Sequence, residues 1–139
     1  MIDAETPLTL NELRAFSTVD IDHADPRYRR PIARDAETLA RQLGLGGEAV
    51  LLGSISTKKY VEVLLEALGE RLKFPTEFVG RGDMSRGGLL LRHAADGSEL
   101  KYASVSGTIR RGKRPPRLEP RTWVGTPYAF NSLEKTKKP

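Results

Sequence analysis

Residues 49–68 hold the unit that most restricts the fold: an apolar run, AVLL, a polar turn, GSIST, and a patterned segment opening on two lysines. The run from Ala49 to Leu52 lacks polar alternation, which predicts a short strand in a central position, covered on both faces. After the turn, Val61, Leu64, Leu65 and Leu68 recur at the i, i+3, i+4, i+7 spacing of a helix packed along one stripe. Glu62, Glu66 and Glu70 fall on the opposite side. A strand, a tight turn and a helix in succession select the α/β class.

The flanking segments fill in that class. Thr9 and Glu12 have the spacing of a capping box, and Leu8 with Leu13 that of a hydrophobic staple, for a first helix ending near Phe16. A loop rich in Asp and Pro follows. A second helix is expected from Pro31, with Ile32, Leu39 and Leu43 on one stripe and a stop at Gly44. Further on, LKFPTEFVG reads as a short strand interrupted by Pro75. GGLLLRH and ELKYASVS read as two strands joined at the hairpin dipeptide Asp96-Gly97. The expected fold is α/β: a small three-layer sheet with helices on its faces, mixed strands and a C-terminal hairpin. Only one strand reads as central and the chain opens at once on a capped helix. Either the sheet is small and mixed, or an amino-terminal strand is absent from this chain. No internal repeat is present.

The charge divides the chain in two. Residues 1–106 carry 14 Lys+Arg against 16 Asp+Glu, whereas residues 107–139 carry 9 against 2, so the net +5 belongs to the end of the chain. We therefore expect one α/β domain over 1–106 and a basic, Pro-rich tail over 107–139. From Thr108 onward five prolines and no periodicity point to an extended segment, packed locally through Trp123, Tyr128 and Phe130. Arg110, Arg111, Lys113, Arg114 and Arg117 give it the character of a polyanion-binding tail; the bland alternative is a solvated tail.

Other classes drop out. No apolar run approaches the roughly 18 residues of a membrane span. The first residues, MIDAETPLTL, lack the basic and apolar regions of a secretory signal. There is no Cys, which excludes disulfides and thiolate metal sites, and His23 and His93 are too far apart in sequence for a His-rich centre. The acidic loop of Asp20, Asp22 and Asp25 does not match an EF-hand. No Ser sits in a G-x-S-x-G elbow. A bacterial, cytoplasmic protein without metal or cofactor is expected.

Two lysines at the start of a helix repel the positive pole of its dipole, by ~0.3–1 kcal/mol each when exposed. A bound anion reverses that sign. Gly53 lets the backbone approach closely, Ser54, Ser56 and Thr57 can cap the helix or bond phosphate oxygens, and Lys58 and Lys59 supply charge. The segment is not a Walker A loop, lacking its second Gly and the Ser/Thr after Lys. The competing reading is a capped helix whose lysines pair with Glu62 and Glu66.

FVGRGDMSRGG, residues 78–88, brackets Arg81, Asp83, Ser85 and Arg86 with four glycines. Gly82 and its neighbours allow a backbone nest, the two arginines can fork phosphate oxygens, and Ser85 can donate. Asp83 is the candidate catalytic acid or base. The competing reading is a flexible connection in which Asp83 pairs with Arg81 or Arg86.

The combination VLLGSISTKKYVEVLL, LKFPTEFVGRGDMSRGGLLLR and ELKYASVSG resembles an uncharacterised bacterial family over roughly residues 5 to 118. In that family comparable segments form the carboxyl-terminal part of a longer chain. A more distant similarity is to the uracil-DNA glycosylase type of α/β fold, where a VLLG strand also leads into a helix. The Asp-Pro-Tyr and His-Pro-Ser signatures of that fold are missing here, so the resemblance implies architecture and no chemistry.

Three functions follow from these residues. The first is a phosphate-recognising domain associated with DNA or RNA through the helix start, the Gly/Arg loop and the tail. The second is a small nucleotide- or nucleoside-processing enzyme built on the same loops, with Asp83 at its centre. The third is a structural module, forming a homo-oligomer or completed by a partner protein. Tyr102, Trp123 and Tyr128 can stack on bases under the first reading.

Overall fold

A computed structural model describes residues 5–121. Helix α1 spans Leu10–Ser17 and α2 Pro26–Leu43, followed by strand β1 at Ala49–Val50 and helix α3 at Lys58–Leu68. Strand β2, Leu72–Pro75, then leads through a short 3-10 turn to helix α4, Asp83–Asp96, and strand β3, Tyr102–Ser104. The sheet order is β1-β2-β3, with β1 parallel to β2 and β3 antiparallel to it. This is a small mixed sheet with α-helices, an α/β fold.

The registers explain which side is dry. Ala49 pairs with Leu72 and Phe74 with Ala103, so these four share a face. Leu72 and Phe74 are buried there together with Ile55, Val61, Leu68 and Val105. Val61 and Leu68 come from the expected α3 stripe, with Leu64 and Leu65 packed beside them. The opposite face carries Val50, Lys73 and Ser104, and Val50 is 43% exposed. Strand β1 is therefore an edge of the described sheet, not its centre; β2 is central. The apolar run misled because Leu51 and Leu52 lie beyond the paired residues, and Leu52 is half exposed.

Helix α2 starts five residues before its expected proline. Asp25 caps it by accepting the Arg27 N–H at 2.9 Å, and Pro26 occupies the tolerated first position. Pro31 thus lies inside the helix, one turn in, where the i−4 carbonyl belongs to the first turn. The stop at Gly44 is as expected. Ala36, Ala40 and Leu43 face α3, while Leu39 is 39% exposed. Arg71 closes this end, donating from Nη1 to the carbonyls of Ala40 and Gly44.

The C-terminal hairpin is not there. The segment GGLLLRH is helical, within α4, and only β3 of the two expected strands forms. Of the three consecutive leucines, Leu89 is buried and Leu91 is 63% exposed, which is helical spacing. Gly97 takes φ +62°, the left-handed glycine stop of a helix, with Ser98 N–H bonding His93 O at 3.0 Å. An Asp-Gly pair suits a hairpin turn and a helix end equally, because both need that conformation. Leu89 joins Phe78 and Leu100 in a second apolar cluster, with Leu90 and Leu118 beside it.

Residues 108–121 form no regular element but lie against the body. Arg110 pairs with Glu62 at 2.8 Å, Arg92 donates to the Glu119 carbonyl, and Arg121 grips Asp96. The expected packing through Trp123, Tyr128 and Phe130 falls outside the described residues.

Candidate functional site

Parallel pairing decides what meets what. Because β1 and β2 run side by side in one direction, the turns leaving their carboxyl ends emerge at the same rim. The first turn, residues 51–57, carries the serines; the second, residues 76–82, carries Arg81. Between them lies a cleft of about 420 Å³, near the small end of ligand-pocket sizes. Ser54 and Ser56 form one wall, Gly80, Arg81, Gly82 and Arg86 the second, and Arg110, Arg111 and Gly112 the third.

In the first wall the hydroxyls of Ser54 and Ser56 are 3.0 Å apart. Tyr60 Oη donates to the Ser54 carbonyl at 2.8 Å and so ties the turn to α3. The fit at Gly53 is close: a Cβ on it would lie 3.0 Å from the Tyr60 hydroxyl. Thr57 is the N-cap of α3, accepting the Lys59 N–H at 3.2 Å. Lys58 lines an adjoining cleft together with Ser56, Arg110 and Arg111. Lys59 is exposed and lines none of these clefts. The lysine–glutamate pairing considered from spacing does not form: Glu62 binds Arg110, and Glu66 binds Arg29.

The second wall is held by its own hydrogen bonds. Arg81 donates from Nε to the Glu77 carbonyl at 2.9 Å and from Nη1 to Ser85 Oγ at 3.1 Å. Arg86 is 8% exposed, lies over the Phe78 ring at 5.9 Å, and donates from Nη1 to the Arg81 carbonyl at 2.7 Å. Its other nitrogen meets Asp83. That carboxylate, the catalytic candidate, is 92% exposed on its side chain and lines none of the clefts. Gly82 is the backbone N-cap of α4, with no side-chain cap.

The glycine at position 80 serves the protein's own chain. Gly80 has φ +74°, and a Cβ there would collide with the Lys113 carbonyl and lie 3.0 Å from that of Gly112. Reciprocally, a Cβ on Gly112 would stand 2.7 Å from Val79 Cγ1. The tail residues thus cross the second turn at closest approach and become the third wall. Past this crossing a larger cleft, about 770 Å³, is lined by Arg81, Ser85, Gly88, Arg92, Arg114 and Arg117 among others. Lys113 meets Gly80 through its carbonyl and lines none of these clefts.

Asp96 anchors the far end of this strap; the Arg121 guanidinium bonded to it holds its carboxyl below the usual aspartate range. Arg92, Glu62 and Phe78 were not singled out from sequence as parts of the site. Ser85, Gly88 and Arg92 stand at i, i+3, i+7, so reading residues 83–96 as a helix would have placed them on one face. Among the described residues no carboxylate pairs with Arg81, Arg111, Arg114 or Arg117. No group of three or more His, Cys, Asp or Glu that could hold a metal ion occurs among them.

Compared with known protein families, curated proteins and solved structures, the chain matches none. No helix among the described residues is long and apolar enough to cross a membrane.

Proposed function

We propose that the three-walled cleft binds phosphate and that nucleic acid is its partner class. One observation carries this reading: Arg81 and Arg86 from the second turn, Arg111 from the strap and the two serines of the first turn line a single cleft. Guanidinium groups and hydroxyls are the groups that hold phosphate oxygens, and they do so without reading sequence. Arg86 is neutralised by Asp83 and acts as a fixed donor; Arg81 and Arg111 supply the uncompensated charge. An exposed Asp83 outside the cleft supports binding over catalysis.

The test is anisotropy of a labelled oligonucleotide titrated with the full chain at 50 mM and 200 mM salt. Binding is expected at the lower salt and weaker by about 10-fold or more at the higher. Arg111→Glu should abolish most of it, whereas Lys59→Glu, outside the cleft, should change it little. No binding at 50 mM salt ends the proposal.

A second reading, a module completed by a partner, is favoured by α1. Its Leu10, Leu13 and Phe16 are 61%, 48% and 51% exposed, and none of its residues is buried. Sedimentation of the chain alone tests it: association lost in Leu13→Lys supports a self-partner.

A further inference from the structure

We infer that the ligand is a linear chain of several phosphates, running along a track of which the central cleft is one part. The inference rests on the phosphate reading above and extends it. Three clefts adjoin through shared lining residues, with the crossing of the strap over Gly80 standing between the central cleft and the one beside Arg92. The cleft beside Lys58 shares Arg110 and Arg111 with the central one, and the central one shares Arg81 with the cleft beside Arg92. Their order is therefore Lys58, then Arg110 and Arg111, then Arg81, then Arg114, Arg117 and Arg92.

Geometry makes this a line instead of a point. Arg110, Arg111, Arg114 and Arg117 lie on one strap without helix, over seven residue steps that reach up to about 25 Å. Pro115 and Pro116 keep that strap from coiling. The strap is clamped at both ends, by Arg110 on Glu62 and by Arg121 on Asp96, so the cations stay spread. A single phosphate can engage only one or two of them. A strand with one charge per residue can engage them in succession. Guanidinium, hydroxyl and glycine groups dominate the described lining, so contacts to the backbone of such a strand follow, with no dependence on base sequence.

The experiment uses the full chain and labelled single strands of 4, 8 and 16 nucleotides, in mixed and poly-dT sequence, with inorganic polyphosphate as an unlabelled competitor. Affinity should rise about 10-fold or more from 4 to 16 nucleotides and be equal for the two sequences. Arg117→Glu, an exposed substitution at the far cleft, should weaken the 16-mer several-fold, spare the 4-mer, and lower the salt slope by about one phosphate's share. Circular dichroism of the variant confirms its fold. Equal affinity at all lengths, or an Arg117→Glu variant that binds the 16-mer like the parent, overturns the track while leaving the central cleft standing. No binding at any length, or indifference to Arg111→Glu, removes the phosphate reading and the track together. A nucleic-acid strand that outcompetes polyphosphate of equal length supports nucleic acid as the source; the reverse order keeps the track and overturns that source.

Discussion

Arg121 holds Asp96 with both terminal nitrogens, Nη1 to Oδ2 at 2.9 Å and Nη2 to Oδ1 at 2.6 Å, across 25 residues of sequence. This bidentate pair joins the strap to the last turn of α4. Both groups are partly exposed, so the pair contributes placement more than global stability. Asp96→Asn should leave the melting temperature nearly unchanged but raise the rate of tryptic cutting within 108–121 several-fold.

The same pair sets a pH response. The folded carboxyl of Asp96 titrates below its unfolded range near 3.9, first because of the Arg121 hydrogen bonds. Its contribution is therefore complete above that range and is lost as pH falls through the lower folded value. An NMR titration should show the Arg121 guanidinium unchanged from pH 8 to 5 and released only below about pH 4. Release near neutrality would contradict the geometry.

Two glycines of the glycine-rich segment, Gly80 and Gly87, should respond oppositely to alanine. Gly80→Ala forces a side chain into a left-handed backbone and into the Lys113 carbonyl, at a cost of about 1–3 kcal/mol. Gly87→Ala sits inside α4 with nothing within 4 Å, and replacing glycine there should stabilise by ~0.5–1 kcal/mol. Urea denaturation measures both. Destabilisation by Gly87→Ala would contradict a helix at that position.

Glu62 competes with the proposed ligand for Arg110, which it holds at 2.8 Å. Glu62→Gln should free that guanidinium and tighten oligonucleotide binding by up to about 5-fold, the upper worth of a surface pair. Unchanged or weaker affinity would mean that the strap needs this clamp more than the ligand needs the charge.

Thr9 and Glu12 form both halves of a capping box, with Thr9 N–H donating to Glu12 Oε2 at 2.7 Å and Glu12 N–H to Thr9 Oγ1 at 3.2 Å. Because α1 buries none of its residues, Thr9→Ala should loosen that helix by about 1 kcal/mol without moving the global melt. Amide exchange of Leu13 and its neighbours would show the change; a lower melting temperature would mean that α1 is packed.

What was legible in the residues was local. The capping box, the Gly44 stop, Thr57 at the head of α3 and its Val61-to-Leu68 stripe depend on contacts within a few positions, and all are present. Legibility failed where one local pattern serves two structures. Leu89, Leu90 and Leu91 suit a strand or one side of a helix, and Asp96-Gly97 ends either, so the local pattern predicts half a hairpin where α4 forms. Asp25-Pro26 is a sound helix start that the later Pro31 masked.

The sequence by itself determined the α/β class, the helix caps and the pool of cations from which a site could be built, because these follow from short-range sterics and periodicity. Only the tertiary structure decided which cations meet. Parallel pairing of β1 with β2 brings two turns to one rim, and the close crossing at Gly80 lays Arg110 and Arg111 across it. Contacts between residues some 30 positions apart come from how the chain closes its core, and no local pattern encodes them.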